Sequence, residues 1–483
     1  MKNFDSDFGS ALEAAAAIRD RKISSVELTQ HTIGRIDKFQ PKLNAYVYQM
    51  REEALERARQ ADEEVAHNTA RGVLHGVPIN VKESFGVQGR PCTWGITVFK
   101  DARAQRHSTP VRRLLDAGAV LLGATNVPVN LKDHQSFNHI YGRTSNPWDL
   151  GRSPGGSSGG SAASLAAGMT FFSIGSDIGG SIRVPAAFCG IYGHKPTLDI
   201  VDMSGHLPAG IHQDPGFSTL LAVGGPMART AEDLEAGLRI LAGPDPSNAK
   251  AFQWALPRPR HQNLRDYRIG YVLEDPIVPV SAETQAVLES AVRACEKAGA
   301  KVKAGWPEGF VFAELLDTYL FMLGAFDFSM IPRDQQKLAR EQMEQQSDPI
   351  SKGALGSFTE WQGRNLKRLA YRSMWEKLFE SIDVFLMPTA STTAYPHNPA
   401  QLEARVIPTP EGNTVPAMDL LKYISPATLT GCPATTAPAG LSRSGLPVGL
   451  QIVGPYLEDA TPIAFAELLA REIGGFRSPP GYN

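Results

Sequence analysis

Residues Arg152 to Arg183 read RSPGGSSGGSAASLAAGMTFFSIGSDIGGSIR, and the reading of the whole chain turns on them. Two glycine-bracketed serine clusters, Gly155-Gly156-Ser157-Ser158-Gly159-Gly160 and Gly179-Gly180-Ser181, are joined by a small-residue run and an apolar run. Glycine permits sharp turns and close approach of main-chain N–H groups, so serines placed between glycines are available for chemistry. Gly/Ser-rich segments also serve as flexible linkers. Here, however, Ser161 to Ala167 is a helix former and Met169 to Ile174 is apolar enough for a buried strand. The glycines punctuate packed elements. Gly155 to Gly159 also fits the G-x-S-x-G nucleophile elbow, but that motif needs a strand directly before it, and Asn146 to Pro154 has the composition of a loop. No Lys-Ser/Thr pair follows the glycines, which sets aside a phosphate-binding loop.

The run resembles the signature of the amidase signature family, serine hydrolases that use a Ser–Ser–Lys triad in place of Ser–His–Asp. The match runs through Pro154 to Ser161, Asp177 to Arg183, Pro185-Ala186 and Phe188-Cys189-Gly190. The resemblance implies Ser181 as nucleophile and Ser157 as a bridging serine held on a cis peptide bond. It also implies an oxyanion hole from the backbone N–H groups of Ile178, Gly179, Gly180 and Ser181. Ser158, Asp177 and Arg183 would support the nucleophile loop. Farther upstream, Val77, Ile79 and Val81 alternate with Pro78, Asn80 and Lys82 in a strand pattern, from which alone Lys82 reads as an exposed strand lysine. The resemblance makes it the catalytic lysine, because Gly76-Val77-Pro78-Ile79-Asn80-Val81-Lys82-Glu83 matches the family's G-V-P-x-x-V-K-D segment. Glu83 stands where the family usually has Asp, and the extra methylene bears on how a carboxylate beside the lysine is held.

A base is required because a serine hydroxyl is a poor nucleophile. Lysine serves only when neutral, and burial lowers its pKa from about 10.4 toward 7. None of the eleven histidines falls in a triad or metal pattern, and neither metal nor cofactor is implied.

Composition agrees with a globular chain. The chain has 483 residues, 42% hydrophobic and 20% charged, with net charge −2, so no electrostatic footprint marks nucleic acid or an anionic membrane as partner. Cys92, Cys189, Cys295 and Cys432 lie far apart and suggest neither zinc nor a disulfide framework. The first residues lack the basic and apolar runs of a signal peptide, so the expected location is cytoplasmic.

Outward from the signature, helices are expected over 10–21, 25–39 (capped by Ser24 or Ser25), 52–67, 111–117, 231–241 (capped by Thr230), 282–298 and 361–381. Strands are expected over 119–122, 268–273, 301–304 and 383–389. The alternation argues for an α/β architecture, and the resemblance for the amidase signature fold: a central mixed twisted β-sheet covered by helices on both faces. The resemblance extends to about residue 470. It implies one amidase domain over 1–483, with a signature core of about 70–230 and a less family-like cap or substrate-binding region of about 245–400. His134, Phe137 and His139 form a polar-aromatic loop, placed either near the substrate mouth or plainly on the surface. Val311 to Met330 reads as a core or cap helix, with the lining of an apolar pocket as the other reading.

The expected function is hydrolysis of the carbon–nitrogen bond in small acyl or aryl amides, with esters and carbamates as further substrates, through an acyl-serine intermediate. The resemblance is to the broad-specificity bacterial amidase type, and a homodimer is the assembly considered. One alternative is the glutaminase subunit of a tRNA-dependent amidotransferase. Leu198-Asp199-Ile200 and Phe217-Ser218-Thr219-Leu220 depart from that pattern. A second is a binding protein on an inactive amidase scaffold, which retention of Lys82, Ser157 and Ser181 argues against.

Overall fold

The computed structural model describes residues 4–209, 211, 220–331 and 333–483. Its centre is an eleven-stranded sheet. In chain order the strands are β1 (Tyr46–Gln49), β2 (Pro78–Lys82), β3 (Val120–Thr125), β4 (Phe172–Asp177), β5 (Tyr192–Lys195) and β6 (Val223–Ala228), followed by β7 (Arg268–Tyr271), β8 (Lys301–Ala304), β9 (Val384–Pro388), β10 (Ala434–Leu441) and β11 (Pro447–Val453). Their spatial order is β1-β3-β2-β4-β6-β5-β10-β11-β9-β7-β8. β3, β2 and β4 run parallel, as do β9, β7 and β8, while the strands between them pair antiparallel. The sheet is therefore mixed and draws on both halves of the chain.

Strand alternation shows what covers it, since successive side chains point to opposite faces. On β9, Val384 and Leu386 join one core with Leu450 and Ile452, while Phe385 and Met387 join the other with Trp375 and Phe379. Helices Ala231–Leu241, Ala282–Lys297 and Ala460–Ile473 close the first core through Leu238, Leu288 and Phe465. Helices Phe312–Ser329 and Phe358–Ser381 close the second through Tyr319 and Trp375. Both faces are covered, as the resemblance implied.

Local signals place the helix starts. Ser10 with Glu13, and Ser24 with Glu27, form reciprocal capping boxes that satisfy the first orphan N–H groups. Thr230 caps its helix by accepting from the Asp233 N–H. Several boundaries differ from expectation: the second helix runs on to Leu43, the helix expected from 361 begins at Phe358, β3 runs on to Thr125, and β4 begins at Phe172 rather than Met169 and continues through Gly175, Ser176 and Asp177. Apolar periodicity stops at Ile174, but the strand continues because its polar end meets buried partners, Lys82 for Ser176 and Arg183 for Asp177. All four cysteines are free and buried. No helix among the described residues is long and apolar enough to cross a membrane.

Candidate active site

β2 lies parallel to β4 with Val81 opposite Ile174, which carries Lys82 to the end of the strand beside Ser176. Lys82 Nζ lies 2.6 Å from Ser157 Oγ and 2.9 Å from Ser176 Oγ. The lysine has no exposed surface, contrary to the reading from alternation alone, because β2 is covered on both faces. Burial lowers its pKa from 10.5 to about 7, opposed by the negative charges of Asp177 and Glu83. A substantial neutral fraction follows near pH 7.

Ser157 sits after a cis Gly156–Ser157 peptide bond. Gly156 packs so closely on the backbone of Asp133 and Gln135 that a Cβ there would lie 3.0 Å from the Gln135 nitrogen. The next residue ties the two serine clusters together, since the Ser158 N–H donates to the Ser181 carbonyl at 3.1 Å. Ser157 and Ser181 each fall just before a helix, Gly159–Ala166 and Arg183–Cys189.

The segment between β4 and Ser181 is organised by Asp177. Its Oδ1 accepts from the Gly180 N–H (3.0 Å) and Arg183 Nη2 (2.7 Å), and its Oδ2 from the Ile182 N–H (3.1 Å) and Arg183 Nε (3.0 Å). Burial alone would raise the Asp177 pKa, but the Arg183 charge and these donors bring it down to about 2. Arg183 also donates to the Ile424 carbonyl, Gln451 Oε1 and Thr428 Oγ1. The Gly180 N–H, expected among the oxyanion donors, is thus directed to Asp177. Among the described residues the N–H groups of Ile178, Gly179 and Ser181 have no partner.

A buried lysine on the Ser157 hydroxyl, a backbone bond from Ser158 to Ser181, and N–H groups on the Ser181 loop with no partner among the described residues are the parts needed to add a serine oxygen to a carbonyl. A family model described as Amidase matches residues 27–462. The chain belongs to the amidase signature family. It is therefore an amidase-family hydrolase of carbon–nitrogen bonds. It is 33% identical over 514 aligned positions to fatty-acid amide hydrolase 2-A of Danio rerio, covering 97% of this chain and 90% of that one. It is 31% identical over 461 positions to a glutamyl-tRNA(Gln) amidotransferase subunit of Cyanothece sp., covering 90% and 92%. Among solved structures, a bacterial aryl acylamidase of the same family superposes with a TM-score of 0.80 at 26% identity, covering 97% of this chain and 96% of that one.

Within this amidase-family chain, Glu83 does not reach the lysine's hydroxyl partners. Its carboxylate accepts from the Thr93 N–H (2.5 Å), Thr93 Oγ1 (2.7 Å) and the Trp94 N–H (3.0 Å). The longer side chain thus holds the 93–94 turn, while burial pushes the carboxyl up to about 7 against those bonds. Ser158 Oγ lies 3.5 Å from the Ser176 carbonyl. Ser176 escaped the sequence reading; its hydroxyl directly before Asp177, at a strand end beside the lysine strand, was the only signal. His134 departs from the surface reading of its loop: it is buried beside the candidate nucleophile loop, with Nε2 2.8 Å from the Gly179 carbonyl. Phe137 and His139 remain on the surface, lining a cleft of about 830 Å³. Leu198 and Ile200 are packed, with the Leu198 N–H on the Gly431 carbonyl. Phe217, Ser218 and Thr219 lie outside the described residues.

Proposed function

We propose that the protein hydrolyses small acyl or aryl amides, and with them esters and carbamates, through an acyl-enzyme on Ser181. Neutral Lys82 takes the Ser157 hydroxyl proton as Ser157 takes that of Ser181, and the Ser181 oxygen bonds to the substrate carbonyl carbon. The N–H groups of Ile178, Gly179 and Ser181 receive the resulting oxyanion, and one such donor is worth about 2.7–4 kcal/mol of transition-state stabilisation. The proton returns along the same path to the nitrogen as the C–N bond breaks, and water then cleaves the acyl-serine ester. Asp177 and Arg183 keep the loop in shape, and Ser158 joins it to the Ser157 turn. This reading treats 1–483 as one amidase domain, with residues of about 245–400 shaping the pocket.

The observation that carries the reading is the 2.6 Å contact between a fully buried Lys82 amine and Ser157 Oγ. Support for acyl-amide substrates comes from the likeness to a fatty-acid amide hydrolase and an aryl acylamidase. The test is steady-state hydrolysis of a p-nitroanilide, a primary amide, a p-nitrophenyl ester and an aryl carbamate by wild type and Ser181→Ala. Turnover that disappears in the mutant is expected; turnover that persists overturns the assignment of Ser181.

A second reading, the glutaminase subunit of an amidotransferase, draws on the 31% identity to a glutamyl-tRNA(Gln) amidotransferase subunit. It requires ammonia release from glutamine only when partner proteins are added. Wild type that turns over the amide panel alone argues against it.

A further inference from the structure

The candidate nucleophile loop contains two consecutive glycines, and Gly180 has a φ of +84°, so side-chain sterics do little to fix its peptide planes. Something else must hold them. In a planar trans peptide the C=O and the following N–H point in opposite directions, so gripping one end aims the other. Tyr319, fully buried in the middle of helix Phe312–Ser329, donates its hydroxyl to the Ile178 carbonyl at 2.9 Å. The other end of that peptide is the Gly179 N–H, which is thereby turned away from Tyr319. His134 Nε2 lies 2.8 Å from the Gly179 carbonyl. A carbonyl only accepts, so Nε2 carries the proton. The other end of this second peptide is the Gly180 N–H on Asp177. One peptide is fixed at both ends, and its neighbour is fixed at the carbonyl with its N–H unpaired.

We propose that Tyr319 and His134 are positioning residues: Tyr319 aims the oxyanion-binding Gly179 N–H by holding the Ile178 carbonyl from behind, and His134 fixes the adjoining Gly179–Gly180 peptide, on which that aim depends, by holding the Gly179 carbonyl. The inference rests on the acyl-serine reading above. His134 is itself anchored, since its carbonyl accepts from Ser153 Oγ (2.8 Å) and Tyr395 OH (3.1 Å). Ser153 Oγ in turn accepts the Gly155 N–H at 3.0 Å. One connected set of bonds therefore runs from the turn before Ser157, through His134, to the loop before Ser181. His134 Nδ1 is buried without a partner among the described residues, so the ring forgoes one bond while keeping the other on Gly179. If the two residues served only to satisfy buried carbonyls, their loss would lower stability and leave the chemical step alone.

The test compares Tyr319→Phe, His134→Leu and His134→Gln with wild type on the best substrate of the panel. Rates are expressed per active site, counted by complete fluorophosphonate labelling, so a misfolded fraction does not enter. Two inhibitors accompany the kinetics: a trifluoromethyl ketone, whose hydroxyl adduct places an oxyanion in the site, and its methylene analogue, which does not. Expected for Tyr319→Phe and His134→Leu is a 10- to 100-fold loss in kcat. The ketone should weaken in parallel, with KM and the methylene analogue unchanged within twofold. His134→Gln, which returns an N–H donor, should recover most of the loss. A kcat within twofold of wild type, a loss that falls equally on both inhibitors, or a Gln variant no better than Leu overturns the proposal, even where the melting temperature drops. If wild type shows no turnover that depends on Ser181, the acyl-serine reading fails and the clamp with it; wild-type turnover with unaffected variants sinks the clamp alone.

Discussion

A lysine with no exposed surface, whose amine meets two serine hydroxyls, is poorly placed to stay charged, and this is what would suit Lys82 to the proposed role of base. With its pKa lowered to about 7, kcat/KM should climb as pH rises through that value and level off above it. Lys82→Arg should abolish the rise along with the activity, because a guanidinium does not give up its proton. The same shift reaches stability. The unfolded lysine titrates near 10.5 and the folded one near 7, so the unfolded state binds more protons between those values and stability rises with pH across that window. The penalty is fully present below pH 7. Lys82→Met should therefore raise the melting temperature more at pH 6 than at pH 9, and a pH-independent difference would count against the buried-amine account. Lys82, Ser157 and Ser181 could be singled out as candidates because their neighbours form long, specific motifs. Ser176, His134 and Tyr319 were not, since what defines them is contact across the fold: Tyr319 lies 141 positions from the Ile178 carbonyl it holds.

At the scale of elements, the site depends on how closely two turns approach the sheet. Gly160, in the first turn of the helix after Ser157, sits against the Asn126 backbone and would place a Cβ 2.7 Å from the Ala45 carbonyl. Gly160→Ala is expected to cost about 1–3 kcal/mol through overpacking and to shift Ser157 relative to Lys82. It should lower the melting temperature and kcat together. The helix starts at Ser24 and Thr230 were readable because a cap is a local bargain between neighbours, whereas the start expected at 361 lies at Phe358, capped by Ser357. Strand ends were less so. β4 continues through Gly175-Ser176-Asp177 because these residues pair with Gly225, Gly224 and Val223 of β6 and their polar side chains find partners on β2 and on Arg183, which no period in the sequence encodes.

Across the whole molecule, Arg183 is the joint. It pairs with Asp177 in the signature segment and reaches Ile424, Thr428 and Gln451 in the last quarter of the chain. Arg183→Met would leave the Asp177 carboxylate buried and unpaired, a change that typically costs about 3–5 kcal/mol. Both melting temperature and activity should fall sharply. If residues 1–483 form one amidase domain, as proposed, calorimetry should give a single transition with activity lost across the same interval. A first transition confined to residues of about 245–400 would contradict it.

The alternation of spent and unspent N–H groups along the loop has a consequence for isotope exchange. Gly180 and Ile182 are bonded to Asp177, while Gly179 and Ser181 between and beside them have no partner among the described residues. In deuterated water the loop should exchange with a stagger, its bonded amides slow and the intervening ones fast wherever solvent enters the site. A bound tetrahedral adduct should then silence the fast amides and leave their neighbours unchanged, so that the outline of the missing oxyanion can be read as a pattern of deuterium uptake.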